Sequence, residues 1–311
     1  SRGLRRGLLI GGAVTAVVAA VAGVAVYVDR IAPFRTTVVS VDKSAVSMRT
    51  FLMRTHISGQ DPMAMLQVIA NEEIVKAVAP APPYSIQVTE QDIDVFLRDV
   101  ARGNNESIAD RDFREWYRQQ LNESGMSDRE FRDLIRTNLL MMRLKEYLAD
   151  RVPTVAEQVH LHMIPFQGLA AAQEAKELLD AGEDFARVAR SSSSDELAKA
   201  SGGDLGWQAR AGLVPQIARM AFDELAVGQV SEPYYVDEDT FALIMVSERA
   251  DARELDEAAR RRIQDRVLDA WLDEEQKRHQ VAFHGISGPY SSETDAWIRW
   301  QLQRMERQET R

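Results

Sequence analysis

One stretch, SGGDLGWQARAGLVPQIARMAF at residues 201–222, limits the fold more than any other part of the chain. Gly202, Gly203 and Gly206 open backbone angles that other residues avoid, so the chain turns sharply here and packs closely against something. The run is too polar for a core helix and too rich in glycine for a strand. Its flanks decide what the turn serves. Upstream, VHLHMIPF at 159–166 reads as a strand, followed by helical patterns at 170–181 and 184–189. Downstream, 215–222 reads as helix, 229–235 as extended chain and TFALIMVSE at 240–248 as an apolar strand. This order predicts a small α+β domain over 158–250.

The rest of the outer chain reads mainly as helix. TTVVSV at 36–41 is a short strand, and helices are expected at 47–56 and 62–78, the second with Pro62 in its first turn. APAPPY at 79–84 breaks that pattern as a stiff connector. Thr89 and Asp92 have the spacing of a capping box ahead of the stripe Ile93, Phe96, Leu97 and Val100, and Ser127 and Glu130 repeat it. A long helix then runs to Val152, with Phe131, Leu134, Ile135, Asn138, Leu139, Met142 and Leu148 expected on one face. Residues 36–157 are thus read as a helical module. A charged helix at 254–282 is expected to return to it, and a C-terminal helix at 291–308 carries Trp297, Ile298, Trp300 and Leu302. That last helix either covers the protein's own core or docks on a partner.

Residues 7–28, GLLIGGAVTAVVAAVAGVAVYV, carry no charge and are long enough to cross a bilayer as a helix. Arg2, Arg5 and Arg6 form a basic stub at 1–6, which places the N-terminus in the cytoplasm and the main body outside. A cleaved signal peptide is the competing reading of the same run. The net charge of −10 argues against nucleic acid, since a phosphate-binding face needs clustered Lys and Arg. The chain has no cysteine, which removes disulfides, thiol catalysis and the usual structural zinc sites. No GxxxxGK[ST] pattern accompanies the glycines, so they are not read as a phosphate cradle.

Taken in order and spacing, the VHLHMI strand, GGDLGW, PQIARMAF and VGQVSEP resemble a parvulin-type peptidyl-prolyl isomerase domain, from about residue 159 to 248. GMSDREFRDLIRTNLLMMRLKEYL at 125–148 is similar to a recurring segment of the SurA, PrsA and PpiD foldases. The fold implied is α+β: an N-terminal transmembrane helix, a helical SurA/PrsA-like chaperone module, an inserted parvulin-like domain and C-terminal helices. The resemblance also implies a site. His162 takes the place of the first-strand histidine, and Glu196 stands where the family has Cys or Asp, or Asp195 does after a one-residue slip. Leu213, Ile217 and Phe222 take the proline slot, and Gly202, Gly203, Asp204 and Gly206 form a structural turn beside it. The family's last-strand histidine aligns with Ala242, so the paired-histidine network is expected to be missing and activity weak or lost.

Two readings of His162 stay open, a catalytic group or a satisfied structural histidine, and the three apolar positions are equally readable as core. His160 is expected on the strand face opposite His162, so no metal pair and no cofactor is expected. Ser191–Ser194 have no G-x-S-x-G elbow and read as a solvated loop. The function expected is a membrane-anchored extracytoplasmic isomerase and chaperone that acts on unfolded or proline-containing exported polypeptides. They would bind in a groove between module and domain, with Met48, Met53, Met63 and Met65 either adapting to clients or filling the core. The alternative is a catalytically degenerate accessory or scaffold subunit held in a membrane complex by the anchor and tail.

Overall fold

The structure, a computed structural model, describes residues 31–286 and 288–309. The expected stub at 1–6 and anchor at 7–28 lie outside the described residues, among which no helix is long and apolar enough to cross a membrane. After a helical turn, Ala32–Arg35, come β1 (Thr37–Val41), β2 (Ser44–Ser47), α1 (Met48–Ser58), α2 (Pro62–Val78), α3 (Glu90–Arg102), α4 (Asp110–Ser124) and α5 (Asp128–Asp150). Then follow β3 (Val155–Gln167), α6 (Leu169–Asp180), α7 (Phe185–Ser192), α8 (Glu196–Ser201), β4 (Asp204–Ala209) and α9 (Pro215–Arg219), which runs into a π-helical turn, Met220–Glu224. The chain ends with β5 (Tyr234–Asp237), β6 (Thr240–Glu254), α10 (Glu257–Gln276), β7 (Val281–Gly285), β8 (Gly288–Pro289) and α11 (Ser292–Glu309). The described residues divide into two compact units, one of those up to Glu146 with those from Asp269 onward and one of residues 147–268.

The first unit is more than a helical module. A four-stranded sheet in the order β2-β1-β7-β8 stands within it, with Val39 of β1 opposite Phe283 of β7. Val38, Val39, Phe51, Leu52, Leu66, Ile69 and Ile74 form its core together with Ile298 of α11. The C-terminal helix therefore covers the chain's own core through Ile298 and Trp297, while Trp300 stays 52% exposed. The capping boxes form as spaced: Thr89 Oγ1 accepts from Asp92 N and Asp92 accepts from Thr89 N, and Ser127 and Glu130 do likewise. Along α5 the buried seam is Ile135, Leu139, Leu140 and Leu144. Asn138 and Met142, expected on the same stripe, are exposed. Of the four methionines considered for clients, Met48, Met53 and Met65 are buried and only Met63 is exposed.

The second unit is built on an antiparallel sheet in the order β4-β3-β6-β5. From Leu161↔Val246 to Gln167↔Thr240 the β3–β6 ladder is regular, so side chains alternate strictly between its faces. One face carries Ile164, Phe166 and Leu243 against Ala172, Ala175, Phe185, Val188 and Ala189 of α6 and α7. The other carries Val159, Leu161, Ile244 and Val246 against Ala221 and Phe222 of the π turn and Leu225 just after it. A third cluster, Val152, Ala209, Leu255, Ala259 and Ile263, explains why this unit reaches from 147 to 268, wider than the 158–250 read from sequence.

Candidate active site

The glycine turn is a close approach. Gly202 has φ +67°, and a Cβ there would stand 2.8 Å from the Ala186 Cβ; Gly203 has φ +79°, with its Cβ position 3.0 Å from the Met163 carbonyl oxygen. Only glycine fits both the space and the backbone angle. Asp204 follows. Its Oδ1 accepts from the Gly206 N–H at 2.7 Å and bonds His160 Nε2 at 2.7 Å. Burial pushes its carboxyl up, but the Gly206 and His160 hydrogen bonds outweigh that and hold it below the usual range.

On the π-turn face of the sheet, Leu213, Ile217 and Phe222 come together, with Met163 of β3, Met220 and Tyr234 around them. Beside them a cavity of 450 Å³ is lined by Gln216, Arg219, Met220, Tyr234, Tyr235 and Val236. Phe222 is held in place twice. The Arg249 guanidinium donates to the Phe222 carbonyl at 3.0 Å and to the Leu225 carbonyl, which anchors the π turn. Arg210 lies over the Phe222 ring at 4.6 Å and pairs with Asp223. The Tyr234 hydroxyl lies 3.8 Å from the Met163 sulfur, a weak acceptor that leaves it able to donate elsewhere. Burial pushes its pKa up, so it stays protonated at neutral pH.

His162 lies on the other face. It shares the side of β3 with Ile164 and Phe166, stands opposite Met245, and meets Phe185 of α7 edge-on at 5.9 Å. Its Nε2 pairs with the Ser247 hydroxyl at 3.0 Å. Burial pushes its pKa down, the Asp204 charge opposes that, and His160 adds to the lowering. The structure therefore does not bring His162 to the apolar slot. Asp195 and Glu196 do not join it either: Asp195 caps α8 by accepting from Ala198 N, and Glu196, 85% exposed, pairs with Lys199. Ala242 is fully buried, opposite Pro165 on one side and Tyr234 on the other.

The expectation that His160 and His162 point apart is corrected. Residues two apart share a strand face, and the two rings stack at 5.0 Å. With Asp204 they bring one ligand atom each to within 4.8 Å of the others. Sequence reasoning also missed Met163, Met220, Tyr234 and Arg249. Met163 was within reach, lying two residues after Leu161 on one strand face, whereas Tyr234 and Arg249 reach the slot only through sheet pairing and long-range contact.

Residues 167–248, which hold the glycine turn, most of the slot and Tyr234, match the family described as rotamase, the PPIC-type PPIase domain. The chain carries a PPIC-type PPIase domain. The match begins after His162 and Met163, so β3 contributes little to it. Among curated relatives, the periplasmic chaperone PpiD of Haemophilus ducreyi is 38% identical over 92 residues, 30% of this chain and 14% of that protein. The chaperone SurA of Aromatoleum aromaticum is 32% identical over 180 residues, 47% of this chain and 38% of that one. The foldase protein PrsA of a Geobacillus species is 31% identical over 142 residues, 45% of this chain and 51% of that one. The chain thus spans about half or less of the length of these relatives.

Proposed function

We propose that this chain is an extracytoplasmic foldase whose PPIase domain isomerises X–Pro bonds at the slot of Leu213, Ile217, Met220 and Phe222. The observation that carries this reading is the gathering of those side chains, with Tyr234, on one sheet face inside a PPIC-type domain. Rotation about X–Pro meets a barrier of about 18–20 kcal/mol from amide resonance. No covalent step is needed to lower it. A wall that grips the proline ring and a donor aimed at the turning carbonyl stabilise the twisted state over both planar ones. Tyr234 is that donor: it is the cross-strand neighbour of Ala242, where the resemblance implies a histidine, and its hydroxyl lies beside Met163 of the slot. Arg210 lies over the Phe222 ring and holds it beside the slot.

A protease-free isomerisation assay on a proline peptide tests this. The chain accelerates the reaction, and Leu213→Ala and Phe222→Ala each lower kcat/KM by more than His162→Ala does. Tyr234→Phe lowers kcat by roughly tenfold with KM little changed, as loss of a transition-state donor does. A rate equal to the uncatalysed one in the parent chain refutes the enzyme reading and leaves the accessory or scaffold role.

For holding unfolded exported chains, support comes from the relatives' names and from a cavity of 420 Å³ in the first unit. Val46, Met53, Met126 and Leu134 line it among charged groups such as Lys76 and Glu130. Membrane attachment by residues 7–28 rests on their uncharged length. Expression of the full chain followed by alkaline washing of membranes checks it. Retention with an intact N-terminus supports the anchor, and release with the run removed supports a cleaved signal.

A further inference from the structure

The pair of histidines that misses the slot makes a site of its own. We propose that His160, His162 and Asp204 bind one divalent first-row transition ion, Zn²⁺ being the ion tested. Two imidazoles and a carboxylate are the borderline donor set that such ions take, and three protein ligands with an open position is a common zinc arrangement. The three ligand atoms already lie within 4.8 Å of one another. A tetrahedral ion about 2.0–2.1 Å from each ligand atom sets them roughly 3.3 Å apart, so the 2.7 Å contact between His160 and Asp204 opens and the wider spacing closes, movements within reach of side-chain rotation.

The surroundings supply what a bound ion's ligands need. Glu248 Oε1 stands 3.7 Å from His160 Nδ1, beyond hydrogen-bond range but at the ring nitrogen turned away from Asp204, the side from which a carboxylate orients a metal-bound imidazole. The Ser247 hydroxyl fixes the His162 ring in the same manner. Both bonds to Asp204 fall on Oδ1, so its second oxygen carries neither of them. The three ligands belong to two strands, and Asp204 immediately follows Gly202 and Gly203. A bound ion thus ties β3 to the start of β4 and braces the glycine turn. The site is on the face away from Leu213 and Phe222, so it stands or falls apart from the isomerase reading.

Equilibrium dialysis of the full chain against Zn²⁺ reads the stoichiometry. One equivalent is expected per chain. His160→Ala and Asp204→Asn abolish uptake, while His56→Ala and His284→Ala leave it intact. His160→Gln, milder in shape, guards against a misfolded alanine variant; its circular dichroism is expected to match the parent while uptake is lost. A second readout is optical. The Trp207 ring lies 5.5 Å from that of His160, so Cu²⁺ at the site quenches part of the tryptophan emission, and Trp207→Phe removes that part. No uptake by the parent chain, or uptake that survives in His160→Gln, overturns the proposal.

Discussion

Glu72 is 4% exposed in its side chain and Arg54 13%, and the two form a bidentate pair inside the first unit. Burying two charges is costly, and the pair holds only while both members are present. Glu72→Ala leaves a guanidinium buried without its partner, and a loss of about 3–5 kcal/mol is expected in urea unfolding. Replacing both by apolar residues of similar volume is expected to recover most of that loss. In sequence, Glu72 was indistinguishable from its neighbour Glu73, because both look like helix-surface charges. Helix α2 turns one inward and leaves the other at the edge, where it meets Ser44 and Lys76. The slot residues show the same limit. Leu213, Ile217 and Phe222 were legible as apolar, yet apolarity alone does not say whether a side chain faces a core or a substrate.

Among the elements, the glycine turn between α8 and β4 is the most tightly specified. Gly202→Ala sets a Cβ against Ala186 at 2.8 Å in a left-handed backbone. The backbone angle alone costs roughly 1–2 kcal/mol, and the contact adds to it, so the midpoint of urea unfolding falls. Gly206→Ala meets open space and bears only the angle, so the smaller loss there separates the two causes. The π turn after α9 depends on one distant side chain. Arg249→Met strips the donor from the Phe222 and Leu225 carbonyls. A cost of about 1–3 kcal/mol is expected, together with a rise in KM for proline peptides as Phe222 loses its fixed position.

Over the whole molecule, the acidic surface is organised by pairing. The Arg143 side chain, then the Thr89 backbone and hydroxyl groups, hold Asp92 well below the usual carboxylate range. Arg132 lowers Glu90, the Met63 N–H and then Arg299 lower Asp61, and Arg210 lowers Asp223. Each of these carboxyls has a folded pKa below its unfolded one. Their stabilisation is therefore complete above the ordinary range of about 3.9–4.3 and drains away as pH falls through the lower folded values. Calorimetry is expected to show Tm holding from neutral pH to about 5 and falling below about 4, with the fall blunted in Asp92→Asn.

Sequence by itself settled what depends on near neighbours. Helical and strand periods, the Thr89 and Ser127 capping boxes, Pro62 at a helix start and glycines where the backbone must turn left-handed are all local, so they could be read in order along the chain. The same local order carried the PPIC-type signature. Tertiary structure decided what depends on pairing between distant segments. Strand register put His162 on one face of the sheet and the slot on the other, set Tyr234 beside Ala242, and brought β7 to β1 across more than two hundred residues. A strand's period of two says which residues share a face but not which face meets which helix. That choice is made by non-local burial, and the chemistry follows from it.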